Sequence, residues 1–591
     1  MIFSWLPESI KKPIRRMPFI YHVYLAMMRK LLLLIRREYK VWIKQNEPLV
    51  WSAKCIEESI RFSLVVPVYN TPPHMLKACI GSVIAQDYTN WEMILVNDAS
   101  TKTQTLDALG EIESLDFRIK VIHLETNQHI SLASNAGIDA AVGDYIGFLD
   151  HDDKLAPQAL NEMAVRLLGQ PEIKWLYSDE DFISQSGERI APHFKSDWNL
   201  FLLRSHNYVT HFCVYQAVLL KRLGGFRQGF EGAQDYDLAL RASEMLEKHE
   251  IAHITKVLYH WRIHKESSSS GNEAKPYTVA VGKQALIEHF ARCKVHANVL
   301  EGNRHNYYQV QYIPKTWPKV SIIIPTRDQF DVLKLCIESI LNKTQYPDYE
   351  IVLMDNETVC ADAKRYLSEL NQLHNIQVVP YDHVFNYSDI NNKAVPYCQG
   401  DVLVLLNNDT QIISADWLSK MVGLAVLPEV GCVGAKLLYP DQTIQHAGVV
   451  LGLGGYAAHS HRCMHNTDPG YFNRPHVTQT VSAVTGACLV IKKSLYESVG
   501  GLDVEFTVAY NDVDFCLRVQ QAGYSNVYCA DAELYHFESK TRGDDQQDAK
   551  KAQRFEEEKN RLKKRWSTVI NNDPFYSPHL TRDREDFSLR S

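Results

Sequence analysis

The chain has 591 residues, 45% of them hydrophobic and 23% charged, with no low-complexity tract, which excludes a disordered or fibrous protein and allows several folded domains. Twelve scattered cysteines without a C-x-x-C pair suit buried reduced thiols better than a zinc site or disulfide framework; Cys213, Cys432, Cys488 and Cys516 lie in apolar runs, and a reducing, cytoplasmic compartment is expected. The net charge of −7 hides an asymmetry, since residues 1–45 carry ten Lys/Arg against two Glu (+8) and leave −15 for the rest, a body that would repel nucleic acid.

Residues 1–58 read as a basic arm. Phe19, Ile20, Tyr24, Leu25, Met27, Met28, Leu31 to Ile35 and Trp42 are interspersed with its charges, Arg29 and Lys30 break any secretory signal, and no apolar run reaches the roughly 18–20 residues that span a bilayer. The pattern predicts an amphipathic helix lying on a membrane surface, where anionic lipid attracts each Lys/Arg by about 1 kcal/mol. The other reading left open is a helix packed on the domain that follows, with its charges solvated.

From residue 59 the sequence repeats itself. Residues 62–70 (FSLVVPVYN) return at 320–328 (VSIIIPTRD), and 91–100 (WEMILVNDAS) at 349–358 (YEIVLMDNET), both at a spacing of 258, so each repeat is a whole domain. Ser63 to Val68 and Met93 to Val96 are short apolar runs ending in turn formers, and Leu76, Cys79, Ile80, Val83 and Ile84 follow the first at helical spacing. This predicts buried parallel strands alternating with helices, an α/β sheet whose ligands gather beyond the carboxyl ends of its strands. Asp98, Asp150 and Asp152 stand at such ends, and so do Asp355 and Asp409 in the second copy, where N-N-D (407–409) offers one carboxylate against the three of D-H-D-D (150–153). A carboxylate after a strand is usually a turn or cap residue; ordered recurrence in both copies points to chemistry instead.

Farther along, Asp235 in GAQDYDLALR aligns with Asp512 in YNDVDFCLR, each after a G-G-(F/L) turn and opening a helical pattern. A plain reading makes them helix caps, with Asp237 and Asp514 as solvated neighbours. The segments YHWRIHKESSS and YHFESKTRG admit two alignments, His536 with His260 or, by H-x-x-S spacing, with His264. The expected domains are the arm 1–58, a first domain 59–300 closed by the helical run VAVGKQALIEHFARC after a flexible loop (266–276), a linker 301–318, and a second domain 319–591. The second ends in a charged helix at 547–566 and a polar tail, expected to be mobile or to pack across domains. No G-x-G-x-x-G or P-loop is present, which argues against dinucleotide chemistry and ATP hydrolysis.

The order P-x-Y-N, D-x-S, N-x5-A-S-N-x-G (Asn127 to Gly137), F-L-D-H-D-D and G-G-F with Q-D-Y-D-L resembles glycosyltransferase family 2. KLLYPDQTIQHAGVVLGLGG (436–455), TGACLVIKKSLYESVGGLD (485–503) and YNDVDFCLRVQQAGY (510–524) are similar to its rhamnosyltransferase-like members, and the resemblance covers 62–270 and 319–545. It implies two tandem GT-A folds with mostly parallel, Rossmann-like sheets. It further implies a bifunctional inverting transfer from nucleotide-sugar donors to a lipid-linked glycan acceptor, in O-antigen or capsule synthesis at the inner face of a bacterial cytoplasmic membrane. The alternative it leaves open is one active domain beside a glycan-binding scaffold.

Site residues follow from the same resemblance. Mn²⁺ or Mg²⁺ is implied at a D-x-D motif, with Asp152 the direct ligand, Asp150 nearer the ribose or reaching the ion through water, Asp409 in the second copy, and His264 and His536 as downstream ligands. Arg262, Arg542 and Lys540 are alternatives that grip the diphosphate. Asp235 and Asp512 are the implied bases, although the family often has Glu before that Asp where this chain has Gln234 and Asn511. Pro67, Tyr69, Asn70, Asp98 and Asp150, with Pro325, Thr326, Arg327, Asp355 and Asn408 in the second copy, are the implied nucleotide-sugar-binding residues.

Overall fold

Strand β1 (Phe62–Val68) is buried at all seven positions, as a strand covered on both faces must be. In the computed structural model, which describes residues 36–47, 59–263, 277–537 and 549–590, it pairs in parallel with β2 (Trp91–Asn97) on one side and β4 (Tyr145–Phe148) on the other, while β3 (Ile119–His123) adds to β2. Past β4 come β8 (Cys213–Gln216), antiparallel, then β6 (Trp175–Ile183), β9 (Ile251–Arg262) and β5 (Lys154–Leu155), with β7 (Arg189–His193) on the side of β6. Strand order reverses between β1 and β4, so the crevice opens beyond their carboxyl ends, with Asp150 just after β4 and Asp98, just after β2, donating its N–H to Val68 O at the end of β1.

A hairpin of β10 (Ala297–Glu301) and β11 (Tyr308–Tyr312) fills much of the expected linker. The second sheet then repeats the first strand for strand: β14 (Ile376–Pro380), β13 (Tyr349–Asp355), β12 (Val320–Thr326), β15 (Val402–Leu406), β22 (Cys488–Lys492), β17 (Val430–Leu438), β23 (Ser525–His536) and β16 (Thr410–Ile412), with β18 (Ile444–His446) beside β17. Phe62 pairs with Tyr145 and Val320 with Val402, so the copies can be matched rung by rung, and Asp150, Asp152 and Asp153 fall on Asn407, Asp409 and Thr410. Lys154 pairs with His260 and Leu155 with Tyr259, whereas Thr410 pairs with His536 and Gln411 with Tyr535. The partner of His536 in the first copy is therefore Trp261, which corrects both alignments read from the sequence. His264 itself, with Lys540 and Arg542, lies outside the described residues.

Of the arm, residues 36–46 form a helix, and the rest up to residue 58 lies outside the described residues apart from Glu47. Tyr39 and Trp42 are buried in one cluster with Phe194 of the first copy, Val450 and Leu453 of the second, and Tyr576, Leu580 and Phe587 of the tail. Trp42 thus packs on protein, a correction to its expected place on a lipid-facing surface. The C-terminal helix runs Ala549–Asn571, and the tail beyond it crosses to the first copy, where Asp197 N donates to Pro574 O and His579 Nε2 meets Thr255 O at 2.8 Å. Among the described residues, all cysteines are free, the four singled out above are buried, and no helix is long and apolar enough to cross a membrane.

Candidate active sites

One device fixes the helix that carries Asp235 or Asp512 in each copy. Asn135 grips the G-G-F turn through both ends of its amide, to Phe226 N and Phe226 O at 2.8 Å each, and Asn392 does the same to Leu502 N (2.9 Å) and Leu502 O (2.7 Å). The turn glycines Gly225 and Gly501 have φ of +67° and +66°, and a Cβ at either would lie 2.3 and 2.5 Å from the gripping Asn oxygen, so only glycine fits. The helices that follow, Gln234–Ser243 and Asn511–Gln521, carry Asp235 and Asp512 in their first turn. Asp237 and Asp514 are not solvated: both are fully buried, Asp237 paired with Arg227 and Arg241, Asp514 with Arg518, Arg565 and the Trp566 indole. The Asp–Arg spacing of four residues in both helices places the partners one turn apart.

In the first copy Asp150, Asp153 and His211 each offer a ligand atom, and these atoms lie within 4.8 Å of one another. Two carboxylates and an imidazole fit a divalent ion such as Mn²⁺, and the mutual repulsion in the group is what such a cation relieves. Enclosure in the cleft, then the charge of Asp152, pushes the Asp150 carboxyl up to about 6, although 42% of its side chain faces solvent. Asp153, missed in the sequence, is raised by burial and by Asp150 and Asp152, and accepts from the Tyr259 hydroxyl (2.6 Å) and Arg262 N (2.7 Å). Asp152 has its carboxylate 3.6 Å from His151 Nδ1 and is not in the converging group, and Arg262 donates to its carbonyl rather than standing free for a diphosphate. Burial lowers the His211 imidazole and raises Asp235, whose Oδ2 accepts from Asn207 Nδ2 at 2.9 Å.

A buried charge network lies behind this group. Three consecutive acids on β6 each meet a cation or imidazole: Asp179 with His253 (2.9 Å), Glu180 with Lys195 (3.3 Å) and His193 (3.2 Å), Asp181 with Arg189 (2.5 Å) and His260 (2.6 Å). Burial alone would raise Glu180, but Lys195, His193 and His211 hold it down at about 2. Its carboxylate accepts from the Thr210 hydroxyl at 2.9 Å and from His211 N at 3.2 Å, so it fixes the loop carrying His211. His260, one of the two alignment candidates, belongs to this network through Asp181.

The second copy is sparser. His536 Nε2 lies 3.1 Å from Asp409, and His536 Nδ1 lies 2.8 Å from Gln445 Nε2, so one carboxylate and one imidazole stand together where an ion completed by substrate oxygens could sit. By register Asn407, Thr410 and Ala487 replace Asp150, Asp153 and His211. Asp512 Oδ2 accepts from Gly486 N and its Oδ1 from Val513 N, each at 2.8 Å.

The other expected residues line the strand ends. Asp98 is buried and accepts from Gln128 N at 2.6 Å; Asn70 accepts from Thr101 N and Lys102 N, which ties two loops together; Pro67 is buried and Tyr69 exposed. In the second copy Asp355 accepts from Thr358 N, Asn408 Nδ2 donates to the Thr326 hydroxyl at 3.3 Å, Pro325 is buried and Arg327 is exposed.

Two family descriptions match in tandem, "Glycosyl transferase family 2" over residues 63–223 and "Glycosyltransferase like family 2" over 318–567. The chain therefore belongs to glycosyltransferase family 2, with two of its domains in succession. It is 37% identical over 565 residues to the O-antigen biosynthesis protein RfbC of Myxococcus xanthus, covering 94% of this chain and 43% of that protein. It is 45% identical over 560 residues to the uncharacterized protein y4gI of Sinorhizobium fredii, covering 93% and 61%. The chain thus spans about two fifths and three fifths of these relatives' lengths. Among solved structures, Staphylococcus aureus TarS in complex with UDP-GlcNAc is similar at 21% identity and TM-score 0.33, covering 39% of this chain and 66% of that one.

Proposed function

We propose that both copies are catalytic and that the chain is an inverting glycosyltransferase making two linkages in turn on a bacterial surface glycan, O-antigen or capsule, from nucleotide-sugar donors. The observation that carries this reading is the same pairing in each copy, a carboxylate with an imidazole after β4 or β15, together with a helix that opens with Asp235, within electrostatic reach of Asp150 and His211, or with Asp512. The acceptor hydroxyl gives its proton to that Asp as its oxygen attacks the anomeric carbon. The bond to the diphosphate breaks with its electron pair on the phosphate oxygen, and single displacement inverts the centre. Asp150, Asp153 and His211, or Asp409 and His536, would hold Mn²⁺ or Mg²⁺, which when bound neutralises charge on the leaving diphosphate. The likeness to RfbC supports a surface polysaccharide as product. A lipid-linked acceptor, rhamnose as the second donor sugar, and docking of residues 1–35 on the cytoplasmic face of the membrane belong to the same proposal.

A second reading, a catalytic first copy and a glycan-binding second one, is favoured by the loss of three ligand positions to Asn407, Thr410 and Ala487. Transfer assays over a panel of nucleotide sugars with Mn²⁺ or Mg²⁺, on wild type, Asp235→Asn and Asp512→Asn, separate the two. Loss of a different donor in each variant supports two enzymes; loss only with Asp235→Asn supports the scaffold.

A further inference from the structure

The two copies share one more rung. Glu180 of β6 pairs with His193 of β7, and Leu437 of β17, the register counterpart of Glu180, pairs with His446 of β18. His193 and His446 are therefore equivalent. Each is tied to the loop that lies against the base. In the first copy His193 bonds Glu180, which accepts from Thr210 and His211 N, and Asn207 of the same loop donates to Asp235. In the second, Thr485 N donates to His446 Nε2 at 3.5 Å, and the next residue, Gly486, donates to Asp512.

Between this histidine and the loop the copies diverge in length. From His193 to its loop counterpart His211 the chain advances 18 residues, and from His446 to Ala487 it advances 41, so the second copy carries an insert of 23 residues. The connection that carries this insert, residues 447–486, includes β19 (Val449–Leu451), β20 (Ala457–His459) and β21 (Gln479–Thr480) and reaches both histidines. His459 Nδ1 is 2.8 Å from His446 Nδ1. A backbone N–H can only donate, so His446 Nε2 accepts from Thr485; its proton then sits on Nδ1 and is donated to His459. At the other end of the insert, the Phe472 ring stacks on His193 of the first copy with centroids 3.8 Å apart and planes at 15°.

The contact with the first copy and the linker after it is a built one. Phe194 N donates to the Tyr471 hydroxyl at 2.7 Å, the Tyr307 hydroxyl donates to Phe472 O, and Asn473 Nδ2 donates to Asn303 at 3.0 Å. Phe472 and Asn473 have φ of +44° and +62°, a left-handed backbone that side-chain-bearing residues adopt at a cost and that surrounding contacts must hold. The second copy's own rung is held from the same insert, so one segment braces both clefts.

We propose that this insert is an inter-domain positioning element, in which Phe472 of the second domain orients His193, and through Glu180 the His211 loop, of the first active site, while His459 orients His446 and the Thr485–Gly486 loop of the second. The inference rests on the reading of both copies as transferases. Its distinctive consequence is that a substitution in the second domain impairs the chemistry of the first.

The test is steady-state transfer with the donor lost in Asp235→Asn and the donor lost in Asp512→Asn, on the full chain carrying Phe472→Leu, Phe472→Tyr or His459→Ala. Phe472→Leu keeps apolar volume and loses the ring; it is expected to lower kcat of the Asp235-dependent transfer by about ten-fold or more. Donor KM and the Asp512-dependent transfer are expected to stay near wild type, and Phe472→Tyr to restore the rate. His459→Ala is expected to show the converse pattern. Equal loss of both transfers in Phe472→Leu, or no loss of either, overturns the inference. If Asp235→Asn itself leaves every transfer intact, the reading of two transferase sites fails instead.

Discussion

His536 and Trp261 occupy the same rung of the two sheets, so the imidazole 3.1 Å from Asp409 has an indole as its counterpart. The first copy draws its imidazole from the loop residue His211, whose counterpart is Ala487. Each site therefore places one imidazole beside its strand-end carboxylate, by a different route. His536→Ala is expected to weaken Mn²⁺ affinity and transfer at the second site by about ten- to a hundred-fold and to leave the first untouched. His211→Ala is expected to do the reverse. Mn²⁺ titration followed by electron paramagnetic resonance, beside both transfers, reads this; unchanged second-site binding in His536→Ala would remove that residue from the site.

Glu180 is a buried anion facing a fully buried Lys195, whose Nζ also donates to Val209 O and His211 O. Glu180→Gln leaves the ammonium without its counter-charge, a change worth about 3–5 kcal/mol of stability. Denaturant unfolding is expected to show that loss, and the double variant Glu180→Gln with Lys195→Met to recover much of it. A loss below about 1 kcal/mol in the single variant would mean that the carbonyls alone satisfy Lys195.

What the sequence disclosed follows physical range. β1 and β12 are legible because strands covered on both faces must be continuously apolar, and Asp235 and Asp512 because a glycine turn and a helix start mark each of them locally. The network of Glu180, Lys195 and His211 joins residues 15 to 31 positions apart with no shared period, so nothing local announces it. Its one visible signal is three consecutive acids, Asp179 to Asp181, inside an otherwise apolar strand, where charges persist only when paired. The burial of Asp237 and Asp514 was readable from Arg241 and Arg518 four residues on. His536 and His264 were matched by spacing, but bulges in β9 and β23 are invisible in sequence, and only hydrogen-bonded register settles that Trp261 is the counterpart.

His253 gives a pH dependence with a defined sign. Burial lowers its imidazole, yet Asp179 and Asp197 outweigh this and raise it to about 9. A group raised on folding stabilises fully below its unfolded value near 6.5, and that contribution is lost as pH climbs through about 9; the shift corresponds to roughly 3 kcal/mol. Wild type is therefore expected to lose more Tm between pH 6.5 and 9.5 than His253→Gln does. Parallel curves for the two proteins would show that His253 is neutral when folded.

The basic arm divides into two parts with different expected fates. Tyr39 donates to Asp181 at 2.6 Å, Glu47 pairs with Arg189 at 2.6 Å, and Trp42 packs within 5.0 Å, centroid to centroid, of Phe194 and His579, so helix 36–46 clamps the first copy to the C-terminal tail. An amphipathic pattern is the same whether its apolar side meets lipid or protein, which is why Trp42 read as a lipid-facing residue. Trp42→Ala is expected to cost about 3–5 kcal/mol, as loss of a buried indole does. Removing residues 1–35 leaves each of these contacts in place, so the shortened chain is expected to keep its Tm and both transfers in solution while losing sedimentation with anionic vesicles. Retained vesicle binding in that variant would place membrane docking elsewhere, and a large fall in Tm would assign residues 1–35 to the fold.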